Sequence, residues 1–158
     1  TFAHATYWSH EKHWHSAVNP NIREKASFLK ENILPIQESG QLKFVHDQQE
    51  LALSKNIEII TVNGHTESMM LPLINYNNQS ILFCADLIPS MAHVSLPWVM
   101  AYDMQPLETL KEKETILKRA VAEDWVLFFE HDLHNECCKL VQTDRGIRAA
   151  DVMKLSDL

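Results

Sequence analysis

Cysteine and glycine are scarce in this sequence, with three residues of each among 158. Cys84, Cys137 and Cys138 form no Cys-x-x-Cys pair and no disulfide framework, which favours a reducing cytoplasm. Cys84 lies in a strand pattern and is predicted to be buried. Neighbours on a strand point to opposite faces, so Cys137 and Cys138 should lie on opposite sides of a sheet. Few glycines and only six prolines argue against a low-complexity chain.

Basic residues are fewer than acidic ones, and long apolar runs are absent from the sequence. The 14 basic and 21 acidic residues give a net charge of −7. Phosphate binding needs a basic face, so nucleic acid is a poor partner for this chain. No apolar run reaches the length of a membrane span, and no secretory signal opens the chain. We therefore expect a cytoplasmic protein that binds a small-molecule substrate.

Length and patterning predict a single domain over residues 1–158 that contains both strands and helices. A hydrophobic content of 46% is enough for a core. Strands precede and follow one long helix, so the fold class is α/β or α+β. The predicted strands are Leu42–Val45, Ile57–Val62, Met69–Tyr76, Gln79–Ala85, Trp125–Phe129 and Lys139–Thr143. Residues 147–153 are either a last strand or a short helix.

The clearest helix begins at Pro106 and runs to about Ala122. Its inner face is predicted to carry Leu107, Leu110, Glu114, Leu117 and Val121, with Glu and Lys on the other face. Two shorter helices are predicted over residues 11–18 and 21–29, the second followed by an extended connection to Pro35. The histidines near the start lack paired-ligand spacing and are interpreted as surface or packed residues.

Polar residues directly follow three apolar, β-rich runs. They are Asn63-Gly64-His65-Thr66, Ala85-Asp86 and Glu130-His131-Asp132. Imidazole and carboxylate are ligands that zinc or iron accepts, so His65, Asp86 and His131 are candidate metal ligands. Taken singly, each segment also fits a turn, a cap or a solvated loop. Their joint occurrence at strand ends favours a site mounted on a rigid scaffold.

The order of these segments resembles the metallo-β-lactamase-fold hydrolases. That family has a Gly-His-Thr loop, an Asp at the end of the next hairpin strand, and a last His after a helix and a buried strand. Two features depart from the family. Its His-x-His-x-Asp-His motif is missing, since the stretch His10–His15 has the wrong spacing and no Asp. The loop also continues as Glu67-Ser68-Met69 where the family often has Pro-Gly-His.

The resemblance implies a partial αββα sandwich, with a mixed sheet and flanking helices. The chain would be the C-terminal half to two-thirds of such a domain. In the family, two metals share a bridging Asp and a bridging hydroxide, which attacks an ester, lactone, thioester or phosphoester. By this resemblance His65 binds the first metal, His131 the second, and Asp86 bridges them. Zinc is expected, with iron or manganese as alternatives.

Four further residues are candidates for the surroundings of the site. Glu130 and Asp132 are predicted to orient ligands, or else to be solvated loop carboxylates. Tyr102 and His93 follow Asp86 in sequence and are candidates for a pocket wall, with core packing as the alternative for this stretch.

Other functions stay open. One alternative is a non-catalytic scaffold or interaction domain that keeps the fold, and another is a non-hydrolytic iron enzyme of the same fold. Because the strands are strongly apolar and few elements are present to cover them, we expect the chain to self-associate or to bind the missing N-terminal part.

Overall fold

The computed structural model describes residues 2–46 and 55–158. The strands are β1 Tyr7–His10, β2 Leu42–Val45, β3 Ile57–Val62, β4 Met69–Tyr76, β5 Gln79–Phe83, β6 Val126–Phe128, β7 Cys137–Thr143 and β8 Gly146–Met153. The α-helices are α1 Glu11–Val18, α2 Lys30–Glu38 and α3 Pro106–Ala122. Short 3-10 helices cover Ala85–Leu87, Met91–Val94 and Leu155–Asp157. The mixed α/β class expected from the sequence is confirmed.

Six strands form one sheet in the order β3-β4-β5-β6-β7-β8. Within this sheet of the described residues, β5 and β6 are the one parallel pair, and α3 makes the crossover between them. The β4–β5 hairpin turns at Asn77 and Asn78, both with positive φ, as a two-residue turn of this kind requires. A separate parallel pair joins β1 to β2.

The main core lies between α3 and one face of the sheet. Leu71, Leu82 and Leu127 are fully buried there, together with Ile116 and Leu117 from the helix. Cys84 is buried as predicted, and Cys138 belongs to this core, whereas Cys137 belongs to a smaller cluster with Ile81 and Val126 on the opposite face.

Two helix predictions are wrong. Residues 22–27 form turns, and the second helix covers Lys30–Glu38 with Pro35 inside it. The inner face of α3 is made by Thr109, Lys113, Ile116, Leu117 and Ala120, so only Leu117 was assigned correctly. Leu107 is 73% exposed. Among the described residues, no helix is long and apolar enough to cross a membrane.

Candidate functional site

The three metal-ligand candidates lie at one edge of the six-stranded sheet. Strands β5 and β6 are parallel, and β3 runs in the same direction because two antiparallel pairings separate it from β5. The carboxyl ends of β3, β5 and β6 therefore meet at the same edge. His65, Asp86 and His131 each follow one of these ends within a few residues. The topology thus brings together residues that are up to 66 positions apart in the sequence.

Asp86 lies between the two histidines. Its Oδ2 is 3.2 Å from Nε2 of His65, and its Oδ1 is 3.2 Å from Nε2 of His131. The side chains are 15% exposed for His65, 29% for Asp86 and 57% for His131. Oδ1 of Asp86 is buried and, among the described residues, accepts no well-oriented hydrogen bond, although His131 is close in distance.

The second ring nitrogen of His65 faces a buried carboxylate that the sequence did not reveal as part of the site. Nδ1 of His65 is 2.9 Å from Oδ1 of Asp103, whose side chain is 1% exposed. An ionised carboxylate only accepts, so Nδ1–H donates and the ring orientation is fixed. Nε2 is thereby directed at Asp86. A carboxylate behind a histidine in this way is typical of metal-binding imidazoles.

Hydrogen bonds and charges within this cluster shift the pKa values of His65 and Asp86. Burial lowers the pKa of His65, but hydrogen bonds to Asp103 and Asp86 outweigh it and raise the pKa to about 9. The hydrogen bond from His65 lowers the pKa of Asp86, against an opposing effect of burial. Without a metal, His65 and Asp86 therefore form an ion pair at neutral pH.

No protein-family profile and no curated protein match this chain. Solved structures do match it. A probable metal-dependent hydrolase from Staphylococcus aureus gives a TM-score of 0.81 at 23% identity, covering 97% of this chain and 54% of that one. The hydrolase AbOPH, of the beta-lactamase superfamily, gives 0.77 at 15% identity, covering 95% and 56%. AidC, a dizinc quorum-quenching lactonase, gives 0.70 at 18% identity, covering 94% and 55%.

The chain has a metallo-β-lactamase fold. It spans about half the length of the solved structures that it matches. Of these three matched proteins, the first is a probable metal-dependent hydrolase, the second a hydrolase and the third a dizinc lactonase.

In this metallo-β-lactamase fold, a cavity of about 450 Å³ lies over the histidines and Asp86. One wall comes from the start of the chain and includes His13, Arg23 and Phe28, and another comes from Met100 and Tyr102. Arg23 donates to the carbonyl of Ala101, and Oε1 of Glu24 accepts from the hydroxyl of Thr66 at 2.5 Å. These two contacts attach residues 21–28 to both sides of the cavity. His13, Arg23 and Phe28 were not among the site residues predicted from the sequence.

The other predicted residues take different positions. Glu130 and Tyr102 line the cavity, and Tyr102 is 75% exposed. His93 lies outside the cavity lining, with its Nδ1 2.8 Å from the hydroxyl of Ser90. Burial, followed by the charge of Lys113, lowers the pKa of His93.

The side chain of Asp132 binds backbone N–H groups from two loops. Its carboxylate accepts from the N–H groups of Met91, His134 and Asn135 at 2.9–3.0 Å. Burial opposes ionisation, but these hydrogen bonds lower the pKa of Asp132 to about 2. The loop that carries His131 is therefore joined to the segment after Asp86, and the N–H of His131 adds a bond to the carbonyl of Pro89 at 3.0 Å.

The donor set fits a divalent metal in its chemistry, since it combines two imidazole nitrogens with a buried carboxylate oxygen that lacks a hydrogen bond. The set has too few ligands, because in residues 2–46 and 55–158 no three His, Cys, Asp or Glu side chains are arranged to hold an ion. Both histidines face Asp86 directly, at ion-pair distance. A metal held here therefore needs these side chains to part or further ligands to join them.

Proposed function

We propose that this chain carries part of the active site of a metal-dependent hydrolase, with His65, Asp86 and His131 as metal ligands. The observation behind the proposal is the position of the Asp86 carboxylate, 3.2 Å from Nε2 of each histidine at the edge where three strands end. The hydrolases that share the fold support the reaction class. The chain would then be the C-terminal half to two-thirds of such a domain.

Each residue has a distinct role in this proposal. His65 would hold one ion, His131 would hold a second, and Asp86 would be shared between the two. Bound there, zinc would acidify a water molecule and polarise a carbonyl or phosphoryl group of the substrate. Asp103 keeps one hydrogen of His65 on Nδ1, so Nε2 is the nitrogen that would bind an ion after losing its own proton. Asp86 supplies the negative charge that offsets repulsion between two cations.

The cavity favours a substrate with an apolar part. Phe28, Met69, Met100 and Tyr102 contribute apolar surface beside the metal-ligand candidates. An acyl lactone or a thioester fits this wall, whereas an unsubstituted phosphate would leave it unused. AidC, which shares the fold, is a lactonase, so acyl lactones come first in a substrate panel that also contains esters, thioesters and phosphodiesters.

A non-catalytic scaffold is the second candidate function. It is favoured by the short distances from Asp86 to both histidines, which pair these side chains with one another without any ion. Metal binding decides between the two candidates.

Asp86→Asn should weaken binding of Zn²⁺ at least about tenfold, since an amide carries no charge and changing even an outer partner of a ligand costs 10–100-fold. The measurement is calorimetric titration of the purified chain, with elemental analysis to decide among zinc, iron and manganese. Asp124→Asn is the matched control, because Asp124 is 71% exposed and pairs with Lys139 away from the site. Equal affinity in the wild type and in Asp86→Asn would leave the scaffold as the function.

The sheet has a second face that the described residues cover only in part. Ile74, Tyr76, Ile81, Phe83 and Phe128 line a cleft of about 590 Å³ on the side away from α3. The rings of Phe83 and Phe128 lie 5.8 Å apart. The chain spans about half the length of its structural matches, so we propose that the rest of such a domain covers this face in the complete protein. When the chain is alone, we propose that a second copy takes this place.

Light scattering of the chain alone should therefore give a mass above the 18.3 kDa of one copy, increasing with concentration. Ile74→Asn should shift the distribution towards monomer, because it puts a polar group into the apolar cleft. Ile22→Asn should leave the mass unchanged, since Ile22 is 97% exposed and outside the cleft. A monomeric wild type at all concentrations would contradict the proposal.

A further inference from the structure

The loop that carries His65 is attached to helix α3 by a carboxylate in the middle of that helix. Oε1 of Glu112 accepts from the N–H of Asn63 at 2.7 Å, and Oε2 accepts from the N–H of Gly64 at 2.9 Å. Each oxygen thus binds one of two consecutive amides. These amides belong to the two residues immediately before His65.

Two carbonyls of this loop accept hydrogen bonds from the residues just before the same helix. The N–H of Gln105 donates to the carbonyl of Gly64 at 2.8 Å, and the N–H of Met104 donates to the carbonyl of His65 at 3.1 Å. Asp103 then fixes the ring of His65. Glu112 therefore binds the N–H groups of residues 63–64, between β3 and β4. Met104 and Gln105, just before α3, bind the carbonyls of residues 64–65.

We propose that Glu112 is a positioning residue for the metal ligand His65. It touches neither the ring nor the cavity, and it acts by fixing the backbone from which His65 extends. Charge-assisted bonds to two amides are strong and directional, and only a carboxylate offers two equivalent acceptors at this spacing. The inference rests on the proposed function only for its effect on metal affinity, whereas the fixing of the loop is independent of any metal.

The test compares variants at Glu112 with variants at Glu108, which lies one turn earlier on α3 and pairs with Lys111 on the surface. Glu112→Gln keeps the shape but loses one acceptor, because its NH₂ group meets an amide N–H. Glu112→Ala loses both acceptors. We expect amide hydrogen exchange at Asn63 and Gly64 to accelerate in the order wild type, Gln, Ala. The imidazole NMR signals of His65 should shift in the same order.

Metal affinity is the second readout. Glu112→Gln should weaken binding of Co²⁺, followed by its absorption spectrum, by about tenfold, and Glu112→Ala by more, as expected for groups that support a ligand. Glu108→Gln and Glu108→Ala should change neither readout. Unchanged exchange and unchanged His65 signals in both Glu112 variants would overturn the inference. If the wild type binds no metal, the proposed function fails, but the exchange series still tests Glu112.

Discussion

Gly64→Ala should unfold the His65 loop and abolish metal binding. A Cβ on Gly64 would lie 2.3 Å from the backbone nitrogen of Thr109 and 2.5 Å from its Cα. The obstacle is backbone in the first turns of α3, where the N–H of Thr109 donates to the carbonyl of Gln105 at 3.0 Å. It cannot rotate away as a side chain would. The loop must therefore leave the helix, losing the bonds of Gly64 to Glu112 and Gln105.

We expect Gly64→Ala to lower the free energy of unfolding by about 3 kcal/mol, the upper part of the range for overpacking. The midpoint of thermal unfolding should fall by roughly 10 °C, measured by circular dichroism. Gly40→Ala is the matched control, since a Cβ there meets nothing within 4 Å and only the positive φ of 73° opposes it. That strain costs about 1 kcal/mol.

A second variant separates the backbone clash from a side-chain clash. Adding Thr109→Gly to Gly64→Ala removes the hydroxyl, which lies 2.4 Å from the added Cβ, but leaves the backbone nitrogen in place. We therefore expect Gly64→Ala to lower the free energy of unfolding as much in the Thr109→Gly background as in the wild type. Wild-type stability in Gly64→Ala, or its recovery in the double variant, would contradict this account.

The metal-ligand candidates could be found in the sequence because the strands before them are strongly patterned. Apolar residues, many of them β-branched or aromatic, dominate Ile57–Val62, Gln79–Phe83 and Val126–Phe128, so the ends of these strands could be located from local composition. The fold was then predicted from the resemblance of the order of these polar residues to that of the metallo-β-lactamase-fold hydrolases.

The supporting residues could not be found this way, because their roles depend on contacts between distant parts of the chain. Asp103 precedes Pro106 and looks like an ordinary residue before a helix, yet its partner His65 is 38 positions away. Glu112 and Lys113 belong to a charged stretch that is typical of a solvated helix face. One binds amides 48 and 49 positions away, and the other is fully buried.

Residues 21–29 were predicted as a helix. In the fold, Oδ1 of Asn21 accepts from the N–H groups of Arg23 and Glu24, so a turn begins there. Arg23 and Glu24 then bind the walls of the cavity instead of extending the helix. Tertiary contacts thus override a weak local propensity.

Lys113→Met should destabilise residues 93–103, the segment that ends at Asp103. The ammonium of Lys113 is 0% exposed and donates to three carbonyls, those of His93 at 3.0 Å, Ser95 at 3.1 Å and Trp98 at 2.5 Å. Burial lowers the pKa of Lys113 to about 8, although the charge of Asp103 opposes this, so burying the charge costs stability. Methionine removes that cost but leaves three carbonyls without this donor, at about 1–3 kcal/mol each.

The lost hydrogen bonds outweigh the relieved charge, and we expect Lys113→Met to lower the free energy of unfolding by about 3 kcal/mol. Urea unfolding measures this, and limited proteolysis should show faster cleavage within residues 91–103. Lys111→Met is the control, since Lys111 lies on the same helix and is 75% exposed. Equal stability of the two variants would show that the three carbonyls find water instead.

The pH dependence gives an independent check on Lys113. Its pKa is about 8 in the fold and 10.5 in the unfolded chain, so between these values the unfolded chain binds more protons. Stability from this group therefore increases as the pH rises from 8 towards 10.5, because the penalty for the buried charge is removed. The difference between wild type and Lys113→Met isolates this contribution from other titrating groups. It should widen in favour of the wild type between pH 7.5 and pH 9.5, and a constant difference would mean that Lys113 keeps an ordinary pKa.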